Sequence, residues 1–235
     1  DCGILHRDIS TNNILVVREN GDSSGTPRGL LIDFDFAIKV DNKERKARAE
    51  RSGTLPYMSI ANLLNLDCER TALDDWESLL YIVCWLATIG INSKDRDTVD
   101  LTRHRPIFQW NDGLSESIAD CKRTHMHSDD NFKLCVVKHF CEKYKLLKYL
   151  ARHIHNALFA NAKCRGAIDR TQDSEDLDLS DFDDYSGAKD RILDNGNDPI
   201  VKRNQHVDEI VNNLESVFEK IIEKHTLTSQ KTAST

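Results

Sequence analysis

Short apolar runs separated by polar turns fill the first third of the chain, and helical periodicities fill most of the rest. Ile14-Leu15-Val16-Val17 and the run from Gly29 to Phe34 flank a polar stretch, Glu19 to Arg28, that is rich in turn formers. That arrangement predicts a β-hairpin with an enlarged loop. From Asp74 to Ile91 apolar residues go nearly all round a helical wheel behind an acidic start, which predicts a buried core helix. Over residues 132–162, Leu134, Val137, Phe140, Tyr144, Leu147, Leu150, Ile154 and Leu158 recur at three- and four-residue steps, a second helical pattern. Val207, Ile210, Val211, Leu214, Val217, Phe218, Ile221 and Ile222 share one face of a last helix. Its stripe is too short for a sustained coiled coil, so the expected role is packing against the preceding core.

The composition divides this pattern further. Between Asp169 and Asp198 eleven acidic residues face three basic ones with few large apolar side chains, which predicts a disordered linker. The expected organisation is a globular core over 1–165, an acidic linker over 166–204, an amphipathic helix over 205–225 and a tail over 226–235. The chain of 235 residues carries a net charge of −7, and an acidic balance argues against general nucleic-acid binding. No run of 18 apolar residues and no secretory pattern is present, so no membrane association is expected. The seven cysteines are odd in number and scattered without a Cys-x-x-Cys pair, which reads as free thiols in an intracellular compartment, cytoplasmic or nuclear.

The first residues carry the densest chemistry. His6-Arg7-Asp8-Ile9-Ser10-Thr11-Asn12-Asn13 stands directly before the apolar run at Ile14, and Asp33-Phe34-Asp35 closes the second run. Phosphoryl transfer needs one carboxylate to orient the attacking hydroxyl and take its proton. It also needs oxygen ligands for the metal ions that neutralise the phosphates. Asp8 suits the first role, and Asn13 and Asp33 suit the second; such all-oxygen ligands favour Mg²⁺. His-Arg-Asp alone is common by chance, but Asn five residues on and a strand-borne Asp-Phe make the combination specific.

These motifs resemble the C-terminal lobe of a eukaryotic-type protein kinase, most closely the fungal-type protein kinase family. Gly53-Thr54-Leu55-Pro56-Tyr57-Met58-Ser59 resembles the substrate loop that closes a kinase activation segment, and Asp75-Trp76-Glu77-Ser78 resembles the start of the kinase core helix. The resemblance covers roughly residues 1–160. It implies an α+β, protein-kinase-like fold, here reduced to a mainly helical lobe with a small hairpin. The implied activity is transfer of the ATP γ-phosphate to Ser or Thr of a protein substrate, with ATP and Mg²⁺ as cofactors. Asp8 is then the base, Asn13 and Asp33 the metal ligands, Arg7 an anchor for the activation segment and Asp75 the residue that fastens the catalytic loop. Ser52, beside Arg51 in a basic stretch, is the expected phosphate acceptor of a regulatory switch.

Three positions depart from the general kinase pattern. Ser10 replaces a Lys that neutralises the transferring phosphate, and Asp35 replaces a Gly, which is expected to stiffen that turn or to add a carboxylate near the metals. Both departures fit the fungal-type family. Ala61 stands where a Glu is expected and removes a structural ion pair. No Gly-rich loop or Lys-bearing strand is found, so the sequence reads as a fragment that is inactive alone. The alternatives are a small-molecule phosphotransferase of the aminoglycoside or choline type, against which the Gly53–Ser59 loop argues, and a non-catalytic pseudokinase or binding module. Cys121, His125, His127, Cys135, His139 and Cys141 match no familiar zinc spacing, and Cys135 and Cys141 read as buried helix residues.

Overall fold

The structure, a computed structural model, describes residues 3–18, 27–40, 53–64, 70–89, 106–144, 147–159 and, near the C-terminus, 207, 208, 210–216 and 218. Of the expected loop from Glu19 to Arg28, Pro27 and Arg28 belong to a strand instead; residues 19–26, the basic stretch from 41 to Ser52, the acidic linker and the tail lie outside the described residues.

The apolar runs pair as the alternation requires. Strand β1 (Ile4–Leu5) pairs antiparallel with β4 (Ile38–Lys39), and β2 (Ile14–Arg18) with β3 (Pro27–Leu31). The β2–β3 hairpin is the expected one, with Ile14 opposite Leu31 and Val16 opposite Gly29. The β1–β4 pair was not expected, because two residues are too few for a periodicity to show. It joins the two sides of the catalytic-loop segment, since Leu5 stands opposite Ile38.

The remainder is helical. Helix α1 (Ile60–Leu63) is capped by Ser59, whose side chain accepts from the Asn62 amide. Helix α2 (Ala72–Ile89) is the expected core helix, with Leu73, Leu80, Tyr81, Cys84 and Ala87 fully buried. Burying each large apolar side chain in such a helix contributes about 1.5–3 kcal/mol. Helix α3 (Ser115–Met126) has no clean apolar stripe in the sequence and escaped the periodicity reading. The pattern over 132–162 is not one helix. It breaks into α4 (Asp129–Cys135), two short 3-10 turns at Val137–His139 and Glu142–Tyr144, and α5 (Leu147–Phe159). The break comes where Val136 leaves helical geometry at φ −122° and Phe140 becomes extended. The 3-10 turns preserve roughly the spacing of the apolar residues, so the periodicity survives while the helix does not.

Helices α2 and α5 lie against each other, with Tyr57, Trp110, Phe132, Phe140 and Ile154 in the same core. Helical residues within 207–218, α6, close this core: Ile210 and Leu214 are buried in it and Phe218 packs on Trp76 with ring centroids 5.2 Å apart. A second, smaller core joins α1 to α3 through Met58, Ile60, Leu63, Ile118 and Ala119. The described chain is thus mostly helical with two small antiparallel sheets, which is compatible with α+β. Among the described residues no helix is long and apolar enough to cross a membrane.

Candidate active site

The catalytic-loop residues form a tight turn between β1 and β2, held from below by α2. Asp75, in the first turn of α2, receives the His6 amide at 2.7 Å on one carboxylate oxygen and the Arg7 amide at 2.9 Å on the other. Burial pushes the Asp75 carboxyl above its ordinary value, and the two N–H donors oppose that shift without cancelling it. Capping of α2 falls to its neighbours, since Asp74 accepts from the Thr71 amide and Thr71 from the Leu73 amide. Asp75 therefore serves the loop and not its own helix.

Among the described residues, two that are not glycine hold left-handed backbone, Arg7 at φ 69° and Asp33 at φ 63°. Such angles cost about 1–2 kcal/mol each and persist where surrounding bonds over-determine them. At Arg7 the bonds are those of Asp75. At Asp33 the flanking Ile32 is tied twice: its amide donates to the Asn13 carbonyl at 2.9 Å, and its carbonyl faces His6 Nε2 at 2.9 Å. The Asp8 amide donates to His6 Nδ1 at 3.3 Å, which leaves the proton on Nε2 to be given to Ile32. The residue of this turn with left-handed backbone is Asp33. Asp35 stands exposed in the turn that Phe34 and Ala37 close with a 2.9 Å backbone bond.

Asp8 is the hub. Its Oδ1 accepts from both the amide and the hydroxyl of Thr54 at 3.1 Å, and its Oδ2 accepts from Asn13 Nδ2 at 3.2 Å. Asn13 Nδ2 also donates to the Asp8 carbonyl at 2.9 Å. Using its NH₂ this way, Asn13 offers its Oδ1 as a neutral oxygen ligand beside the Ile32–Asp33 strand end. Asn13 and the exposed Asp33 carboxylate would offer hard oxygen ligands of the kind that suits Mg²⁺. Among the described residues no group of three or more His, Cys, Asp or Glu gathers to hold a metal. Ser10 is buried and supplies no cation there.

The Gly53–Ser59 loop wraps one side of Asp8. Gly53 has φ 125°, and a Cβ there would sit 3.1 Å from Met58 Cγ and 3.4 Å from the Arg7 carbonyl, so only glycine passes. Tyr57 OH lies 3.2 Å from the Thr11 hydroxyl, and Ser59 Oγ donates to Asp74 at 2.7 Å. Arg7, Asp8, Gly53, Thr54, Asn62, Arg70 and Asp75 share one cleft. Arg7 Nη1 approaches the Phe36 carbonyl only at 3.5 Å. Ser52, the expected switch residue, lies outside the described residues.

Two buried polar residues behind the loop were not singled out in the sequence. Glu77 Oε1 accepts from the Ile60 amide and the Tyr81 hydroxyl, both at 2.7 Å. Lys122 Nζ donates to the carbonyls of Pro56 at 2.9 Å and Met58 at 2.7 Å. Glu77 was detectable as a carboxylate inside an all-round apolar helix; Lys122, in a polar-looking segment, gave no signal. The Cys/His group is engaged in packing instead. Trp110 Nε1 donates to His125 Nδ1 at 3.1 Å, and Cys121 and Cys141 give Sγ–H bonds to Gln109 and the Thr88 carbonyl. Cys135 and Cys141 are half-buried and Cys141 stands outside any helix, which corrects the buried-helix reading.

Residues 1–87 match the family model for fungal protein kinase. That segment runs through the His6–Asn13 turn, the hairpin, the Gly53–Ser59 loop and nearly all of α2, and the family resemblance read from these motifs is borne out there. No curated protein matches the chain.

Proposed function

We propose that this chain forms the large lobe of a protein kinase and serves transfer of the ATP γ-phosphate to a Ser or Thr hydroxyl of a protein. The observation that supports the reading best is the Asp8 carboxylate, fixed by Asn13 on one oxygen and by Thr54 of the substrate loop on the other. A substrate side chain entering the cleft along Gly53–Ser59 brings its hydroxyl to Asp8. The carboxylate orients that hydroxyl and takes its proton as the oxygen attacks the γ-phosphorus; the bond to the bridging oxygen breaks and ADP leaves. Asn13 and Asp33 would hold Mg²⁺, which when bound neutralises the phosphate charge. Asp75 fixes the His6–Arg7 backbone and so the direction of Asp8.

The division of labour is testable in a form of the protein that carries an ATP-binding lobe. Asp33→Asn should abolish Mg-ATP binding measured by calorimetry, whereas Asp8→Asn should leave that binding within a few-fold and lower turnover by a hundredfold or more. Normal turnover by Asp8→Asn would remove the base.

A further inference from the structure

The substrate loop has a problem of polar satisfaction. Between Thr54 and Ser59 the backbone makes one 3-10 turn, and the carbonyls of Pro56 and Met58 point into the lobe, where buried acceptors need a donor. The donor is the amine of Lys122, which arrives from α3 across the smaller core. Lys122 is fully buried, with Nζ 3.9 Å from the Tyr81 ring centroid and 5.7 Å from that of Trp110.

Placing an amine there is costly. Its neighbours Ile118, Ala119 and Met126 on the same helix are apolar and fill space without that cost. Replacing a buried ion by an apolar residue of similar volume is often neutral or favourable for stability, so stability alone does not account for Lys122. What an apolar residue does not supply is two directed N–H bonds to one stretch of backbone. The other ties on the loop lie elsewhere: Asp8 on Thr54, Thr11 on the Tyr57 hydroxyl, Asp74 on the Ser59 hydroxyl and Glu77 on the Ile60 amide. Lys122 joins the backbone of 56–58 to α3 through two bonds at once. Residue 61, where a Glu was expected to tie this segment down, is a buried alanine.

We propose that Lys122 is the positioning residue of the substrate loop: its amine fixes the Pro56–Met58 backbone and thereby the seat on which Thr54 meets Asp8. This rests on the kinase reading only for its consequence, the binding of a peptide; the clamp itself is a property of the lobe.

Site-resolved amide exchange on the full chain separates the two. Lys122→Met keeps the length and apolar body of the side chain and removes the donors. It should speed exchange of the Tyr57 and Met58 amides at least tenfold, with the Ile154 amide of α5 unchanged. Unchanged loop amides would overturn the proposal, and so would an equal acceleration at Ile154, which marks a general loss of stability. If the variant fails to fold, the unaltered chain decides: slowly exchanging Nζ protons correlated with the Pro56 and Met58 carbonyl carbons support the clamp, and a freely exchanging amine refutes it. In the phosphate-transfer assay, Lys122→Met should raise the peptide KM tenfold or more with the ATP KM unchanged, and an unaltered peptide KM would count against positioning. Absence of peptide phosphorylation by the unaltered protein would refute the kinase reading, and the exchange result would still decide the clamp.

Discussion

Replacing Asp75 by alanine removes the joint between α2 and the catalytic loop, and its cost follows from the bonds it makes. The carboxylate accepts from the His6 and Arg7 amides at 2.7 and 2.9 Å. A hydrogen bond to a charged acceptor contributes about 1.5–3 kcal/mol, so the two together contribute about 3–6 kcal/mol. Two effects offset this. Arg7 is freed to leave φ 69°, recovering about 1–2 kcal/mol. The cost of burying the carboxylate, visible in its raised pKa, is also returned. The expected net loss is about 2–3 kcal/mol, read as a lower urea midpoint with unchanged slope by tryptophan fluorescence. The His6 and Arg7 amides should lose protection before the α5 amides do. Asp75→Asn keeps one acceptor but turns an NH₂ toward the second amide, so it should fall between the two. Because the folded carboxyl titrates above its ordinary 3.8, the unaltered chain should lose stability relative to Asp75→Asn as pH rises from that value through the folded pKa. A stability change under about 0.5 kcal/mol for Asp75→Ala, with both loop amides still protected, would refute the joint.

Other consequences concern titration. Burial pushes Lys122 down to about 7 from 10.5, so between those values the unfolded chain binds a proton that the folded one lacks. The stability of the unaltered chain minus that of Lys122→Met should therefore rise with pH across this window, by up to about 1.4 kcal/mol per pH unit; a flat difference from pH 7 to 9 would contradict it. Burial lowers His125 and His153 to about 4 and holds His155 below its ordinary value, with Trp110 donating to His125 and the Met126 carbonyl facing His155. Their folded pKa values lie below 6.5, so stability should fall as pH drops from 6.5 toward 4, and His125→Gln should flatten part of that slope in acid titrations followed by circular dichroism.

The sequence made legible what depends on local chemistry. The hairpin followed from two apolar runs around a turn-rich gap, α2 from an apolar wheel of 18 residues, and the order His6-Arg7-Asp8, Asn13, Asp33, Gly53-Thr54, Asp75 from motif spacing. What escaped was set by tertiary contacts. The β1–β4 pair is two residues long, and α3 earns its place by burying Lys122 against Tyr81 and Trp110, an arrangement that polar composition conceals. The left-handed backbone of Asp33 also escaped, because Asn13 and His6 set it by gripping Ile32, the residue just before it.

Phosphate transfer tests the central claim most directly. A form of the protein that carries an ATP-binding lobe is given γ-labelled Mg-ATP with a Ser/Thr peptide array and, in parallel, with choline, simple alcohols and aminoglycosides. The account predicts label on peptide Ser or Thr, none on the small alcohols, and at least a hundredfold less label with Asp8→Asn. Label confined to the small molecules, or no transfer at all from a folded protein that binds Mg-ATP, would contradict it.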